Sequence, residues 1–303
     1  MVDFHEANRI RWEHAASNYK VRRGDGWRRC LDDPTLGLEG NTLQLIDRFV
    51  GSLSGKRVCV LASGDNWAAF ALAGLGAHVT SVDFSQEQLN VAAARAEELG
   101  LSIEFIQADI TKLTPIKANQ FDFACSIRGV MVWIASLEKY YTEVFRILKP
   151  NGVFILYDIH PFGRPWNDYP EPLQMKKTYF ETGPIESQYN PDTVESHTQH
   201  GELPPEKQSN LLTVFNFHWT ISDLLNAMIE SGLELKYVGE EPDTDPSFWH
   251  DPWGQKVSDT DPTDWKQNPR VGLPAWLTLV ARKRRSKRTF RNKLISPVRI
   301  QQA

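Results

Sequence analysis

From Arg57 to Asp83 the chain reads strand, tight loop, helix, strand, and this unit constrains the fold more than any other stretch. Val58 to Leu61 is a short apolar run rich in branched residues, as suits a strand buried on both faces. Ser63-Gly64-Asp65-Asn66 is turn chemistry. Trp67 to Leu75 carries apolar residues at helical spacing, and Gly74 and Gly76 stop it. Val79 to Val82 makes the next strand, with Asp83 at its end. A helix N-terminus, a Gly-containing loop and a carboxylate then meet at the carboxyl edge of a parallel sheet, the place where such sheets bind ligands. A carboxylate there can accept hydrogen bonds from both hydroxyls of a ribose, which points to a nucleoside.

The loop narrows the nucleoside. A dinucleotide site uses Gly-x-Gly-x-x-Gly so that a pyrophosphate can approach the backbone. Here the positions read Ala62-Ser63-Gly64-Asp65-Asn66, and Asp65 puts a negative charge where phosphates would lie. That argues for a ligand without phosphate. Further elements follow in order. Asp83-Phe84-Ser85 leads into a helix through Leu99, with Ser85 and Gln88 as an N-terminal capping pair. Ile103 to Ala108 alternates as a third strand ending at Asp109-Ile110, and Phe121 to Ile127 is a fourth. Tyr140 to Leu148 is helical, and Lys149-Pro-Asn-Gly152 turns into a fifth strand, Val153 to Asp158.

From about Arg57 to Phe162 this succession resembles class I S-adenosylmethionine-dependent methyltransferases, and Ser-Gly-Asp-Asn followed by Phe-Ala-Leu-Ala-Gly-Leu-Gly-Ala is similar to a bacterial subgroup of them. Their usual loop is an acidic residue, an apolar residue, then Gly-x-Gly-x-Gly. Val60, Ala62 and Asn66 replace the acid, the first Gly and the third. Asn tolerates a left-handed backbone, so Asn66 is a mild change, whereas Val60 removes a carboxylate. The resemblance implies an α/β fold, a doubly wound, mostly parallel seven-stranded sheet of Rossmann-like type, with S-adenosyl-L-methionine as cofactor. It implies cofactor contacts from Ala62, Ser63, Gly64 and Asn66, from Asp83 and Phe84 at the ribose, and from Asp109 and Ile110 at the adenine. Ser126, Ile127 and Arg128 follow at the end of the fourth strand, and Tyr19 is a candidate for a lid over the donor, or else packs with Trp12 on the surface.

The expected layout is one methyltransferase domain over residues 1–283, with an N-terminal helical lid at 1–50 and a cofactor-binding half at 51–160. A substrate-cover insertion spans 161–219, rich in aromatic residues. The C-terminal half, 220–283, holds strands at Leu235 to Gly239 and Trp276 to Ala281 around a second insertion at 241–271. Residues 284–303 are a basic tail. From Ala281 onward there are nine Lys or Arg and no acid, so the remainder has 25 basic against 38 acidic residues, a balance of −13. An acidic body repels a phosphate backbone, so nucleic acid is not expected as a partner. RNA methylation through the tail is kept as an alternative, as is a catalytically silent donor-binding protein, which Val60 and Ala62 motivate.

A hydrophobic content of 41% and a charged content of 24% are ordinary globular values, and no apolar run reaches the roughly 18 residues of a membrane span. Cys30, Cys59 and Cys125 are far apart and read as small core residues, which places the chain in the cytosol. His160, ending the fifth strand, is a candidate general base for the methyl acceptor, or else it orients a loop. Trp133, Trp166 and Tyr179, with His160, are candidate substrate contacts, and Trp133 or Tyr19 could hold the sulfonium by cation–π contact. His218, beside Trp219, reads as structural. His197 and His200 lack the partners that would complete a metal site, and no metal is expected. The expected acceptor is a small molecule with an O, N or C nucleophile.

Overall fold

The computed structural model describes residues 2–22, 24–166, 173–190, 211–242, 264–266 and 269–284, without side chains for 17–22. Seven strands form one sheet: β1 (Arg57–Leu61), β2 (His78–Asp83), β3 (Ile103–Gln107), β4 (Phe121–Ile127), β5 (Leu148–Ile159), β8 (Leu233–Glu241) and β9 (Trp276–Lys283). Their order is β3-β2-β1-β4-β5-β9-β8, and β9 alone runs antiparallel to its neighbours. The strand order reverses between β1 and β4, which opens a crevice beyond their carboxyl ends.

Helices cover both faces, as a sheet of strands buried on both sides requires. On one face α2 (Thr42–Phe49) and α3 (Trp67–Gly74) pack on Val58, Val60, Phe123 and Ile155. On the other, α5 (Leu137–Ile147) and α6 (Ile221–Glu230) pack on Cys59, Leu61, Ala124 and Phe154. Adjacent residues of each strand thus enter opposite cores. α4 (Gln86–Glu98) follows β2 and begins at Ser85, whose hydroxyl accepts from the Gln88 N–H. Only this half of the expected capping pair forms, because Asp83 takes the Ser85 N–H.

Two boundary differences have a visible cause. α5 starts at Leu137, three residues earlier, because Ser136 caps it by accepting from the Lys139 N–H. The expected turn at Lys149–Gly152 is absorbed into β5 as an irregularity, with Asn151 at φ 69°. Gly152 is required there: a Cβ would lie 2.9 Å from the Lys149 carbonyl oxygen and 3.1 Å from that of Phe121.

Inside the 161–219 segment a second sheet forms, β6 (Ile185–Tyr189) antiparallel to β7 (Leu212–Asn216). α1 (Phe4–Arg22) lies against β7 and α4. Asn8 fixes this packing, since its amide accepts from the Phe215 N–H at 2.9 Å and donates to the Phe215 carbonyl at 2.8 Å. Among the described residues no helix is long and apolar enough to cross a membrane.

Candidate functional site

The loop after β1 keeps the backbone of a glycine-rich loop with only the second of its three glycines. Ala62, Gly64 and Asn66 have φ of 51°, 50° and 65°, all left-handed. Asn66, at the third position, adopts the left-handed backbone that its chemistry tolerates. Ala62 does so against its Cβ, at a cost of roughly 1 kcal/mol. A side-chain web offsets this. Asn66 donates to the Gly64 carbonyl at 2.6 Å, and Ser81 on β2 reaches both Ser63, at 2.8 Å, and Asn66. A Cβ on Gly64 would meet nothing within 4 Å, so open space lies beside it. Val60 is 1% exposed in the α2–α3 core, which accounts for an apolar residue where a carboxylate is usual.

Asp83 closes the other side of the loop. It is 4% exposed, and its oxygens accept from the Gly64 and Ser85 N–H groups, each at 2.9 Å. Burial pushes its carboxyl up to about 6, against the lowering effect of those donors, and Glu13 nearby adds to the rise. The Phe84 N–H also acts on this carboxylate, and of its roughly four lone-pair sites at least one is left for a ligand. Phe84 follows, its carbonyl accepting from Gln107. Glu13 of α1 caps α4 from above, accepting from the Ser85 hydroxyl and the Gln86 and Glu87 N–H groups at 2.9–3.0 Å.

Asp109 is more occupied than the sequence implied. One oxygen accepts from the Thr111 N–H and hydroxyl at 2.7 and 2.8 Å. The other meets His5 Nδ1 at 2.6 Å, while His5 Nε2 accepts from the Ala135 N–H at 3.0 Å. The second contact places the proton on Nδ1. Burial opposes the charge of Asp109, but His5 and Thr111 together outweigh it and hold the carboxyl below its ordinary range. Ile110 is buried in the core beneath. His5 thus ties α1 to the segments after β3 and β4, a role no local motif announces.

Several expected contacts are corrected by the geometry. The Ser126 hydroxyl points into the core, to Tyr140 at 2.6 Å and the Leu61 carbonyl at 3.2 Å. Ile127 packs toward Tyr157 and Trp276. Arg128 stands at φ 62°, its Nη1 donates to both Glu39 oxygens at 2.7 and 2.8 Å, and its guanidinium lies over Trp276. His160 is 1% exposed, and both ring nitrogens are engaged. Nδ1 accepts from the Phe162 N–H at 3.1 Å and Nε2 meets Glu240 at 2.8 Å. Burial holds its pKa below the ordinary range, with Glu240 opposing. The loop-orienting role fits this geometry, and the base role does not.

The proposed aromatic contacts are also redirected. The ring of Trp133 faces the guanidinium of Arg11, which lies 4.1, 4.7 and 4.8 Å from the ring centres of Trp12, Trp133 and Tyr189. A cation of the chain itself takes the place expected for a sulfonium. The Tyr179 hydroxyl accepts from the Ile221 N–H at 2.8 Å and so caps α6. Trp166 packs edge-on to Phe162. The side chain of Tyr19, and His197 and His200, lie outside the described residues. Among the described residues no group of three His, Cys, Asp or Glu could hold a metal.

The family described as "Methyltransferase domain" matches residues 60–156, the span from β1 to β5 that builds this crevice. Residues 60–156 thus carry a methyltransferase domain. A ubiquinone/menaquinone biosynthesis C-methyltransferase of Bdellovibrio bacteriovorus is 32% identical over 148 residues, 46% of this chain and 62% of that protein. A sterol 24-C-methyltransferase of Gibberella zeae is 40% identical over 85 residues, 27% of this chain and 22% of that protein. The chain thus spans less than two thirds of these curated relatives. An S-adenosylmethionine-dependent methyltransferase from Mesorhizobium loti shares the fold at TM-score 0.53 and 20% identity, over 80% of this chain and 98% of that one. A structure from Listeria monocytogenes matches at TM-score 0.54 and 20% identity, over 80% and 97%.

Proposed function

We propose that this protein transfers a methyl group from S-adenosylmethionine to a small-molecule acceptor in the cytosol. The observation that carries the reading is Asp83: a buried carboxylate beside a left-handed loop, with acceptor capacity left for a ribose hydroxyl. The residues present fit that donor. Gly64 offers open space for it, Asp109 offers an acceptor for the adenine amino group, and the domain match covers both. The donor, when bound, supplies an electrophilic methyl on a positively charged sulfur. The chain's part is to hold that methyl in line with a nucleophile and exclude water, and positioning of this kind supplies much of a methyl transfer's acceleration. α1 is suited to the lid role, since His5 and Glu13 tie it to the segments after β2, β3 and β4. The β6–β7 segment, joined to α1 through Asn8, is suited to covering the acceptor. The acidic balance and the buried Cys59 and Cys125, outside any disulfide, support a small acceptor and a reducing compartment.

The reading is tested by calorimetry of S-adenosylmethionine and its demethylated product against the full chain. Micromolar binding of both, with NAD silent, is the expected outcome. No heat from either at high micromolar concentration would end the methyl-transfer reading.

A further inference from the structure

His5 stands in the first turn of α1, yet its ring is fixed by residues 104 and 130 positions away. Nδ1 meets Asp109 Oδ2 at 2.6 Å, and Nε2 meets the Ala135 N–H at 3.0 Å. A backbone N–H can only donate, so the ring is the neutral tautomer, and Nδ1–H is the donor to Asp109. His5 is not the only attachment of the helix. Asn8 holds α1 to β7, and Glu13 holds it to α4.

The partner of His5 decides what this contact can do. Asp83 pairs with Gln107 in the sheet, and the Ala108 N–H donates to the Asp83 carbonyl at 2.9 Å. Asp109 comes next, so the two acids end neighbouring strands, and one nucleoside lying along this edge can meet both. Three donors reach Asp109, which has about four lone-pair sites. Oδ1 takes the Thr111 N–H and hydroxyl at 2.7 and 2.8 Å, and Oδ2 takes His5. The Thr111 hydroxyl also stands 3.4 Å from Nδ1. The site left is on Oδ2. The Asp109 side chain is 34% exposed against 15% for His5, so the carboxylate is the more open of the two to a ligand.

The last torsion of an aspartate is a broad well, so a carboxylate held at one oxygen can still swing. Thr111 holds Oδ1 and His5 holds Oδ2, and two anchors set the plane. A neutral donor does this without cancelling the charge, as a lysine or arginine would. His5 and Thr111 together keep the carboxyl below its ordinary range against burial, so it has no proton of its own to offer.

We propose that His5 is a positioning residue for base recognition: it fixes the oxygen of Asp109 that selects an amino-bearing purine, and through Ala135 it makes that seat depend on the docking of α1. The proposal rests on the methyl-transfer reading, since the base is that of the donor. A purine with oxygen in place of the amino group would set that oxygen against the carboxylate with no proton between them, and such a site rejects it.

The two bonds of His5 can be separated. The amide nitrogen of an asparagine falls near the place of a histidine Nδ1, and the amide of a glutamine falls near that of Nε2. His5→Asn therefore keeps the donor to Asp109 and loses the acceptor for Ala135, and His5→Gln does the reverse. The probes are S-adenosylhomocysteine and S-inosylhomocysteine, its analogue with oxygen for the amino group, titrated into the full chain by calorimetry. Amide exchange is read at Ala135 in parallel. The wild type should prefer the amino form by about a hundredfold, as one charge-assisted hydrogen bond allows. His5→Asn should keep that preference within about twofold while Ala135 exchanges at least about tenfold faster. His5→Gln should leave Ala135 protected while the preference falls to about tenfold or less. A preference lost equally in both variants would overturn the proposal and make His5 a structural tie alone. An undiminished preference in His5→Gln, with S-adenosylhomocysteine still bound, would overturn it and leave the methyl-transfer reading standing. Failure of the wild type to bind S-adenosylhomocysteine would remove both.

Discussion

Asp83 is poised between two states, and its environment makes the consequence measurable. Its folded pKa of about 6 lies above the roughly 3.9 of an unfolded aspartate, so the native state binds that proton more tightly. Its contribution to stability is therefore complete below about pH 4 and is lost as pH rises through about 6. Ribose hydroxyls act the other way, because donors to a carboxylate favour its charged form. Donor affinity should rise by about tenfold from pH 5 to pH 7, as an acid of pKa near 6 ionises. Asp83→Asn should flatten that rise and weaken binding at pH 7 by about tenfold, since a charge-assisted bond becomes a neutral one. Calorimetry with S-adenosylhomocysteine at three pH values decides it. A pH dependence identical in wild type and variant would remove Asp83 from the ribose.

Among the elements, α1 shows what the sequence could and could not reveal. Its capture of Phe215 by Asn8 joins residues 207 apart, and Glu13 reaches α4 from 74 positions away. On a one-dimensional reading such residues are the polar face of a helix. The strands and helices from β1 to β5 were legible because burial on both faces writes an apolar run and Ser85 or Gly76 punctuates it. Side-chain directions at the site were not. Ser126, Arg128 and His160 stand at the expected strand ends, but Tyr140, Glu39 and Glu240 draw them away from the crevice, and none of those partners lies in the same motif. The loop was legible in part, since Asn66 permits the left-handed turn that it adopts, whereas Ala62 at φ 51° breaks the local rule. Asn8→Ala tests the join. It leaves two buried backbone groups of Phe215 without their partner and should destabilise the protein by about 2–4 kcal/mol. Amide exchange in α1 and β7 should accelerate together, ahead of β1 and β4. Acceleration in α1 alone would show that the two elements are not one unit.

At the scale of the whole molecule, the donor crevice draws on the entire parallel half of the sheet, and α1 spans it from the segment after β2 to that after β4. A ligand gripped by so many elements binds the native state and not the unfolded chain, so its affinity adds to stability by mass action. At about 100 times its Kd, S-adenosylhomocysteine should add roughly 2.7 kcal/mol. For a chain of this size that corresponds to a rise in Tm of about 5–10 °C. NAD at the same concentration should give no shift, because Asp65 and the missing first glycine leave no seat for a pyrophosphate. A short RNA should give none either, as an acidic body repels its phosphates. A shift with RNA that disappears on removing residues 284–303 would transfer the acceptor from a small molecule to a nucleic acid, and the basic tail would then be its recognition element.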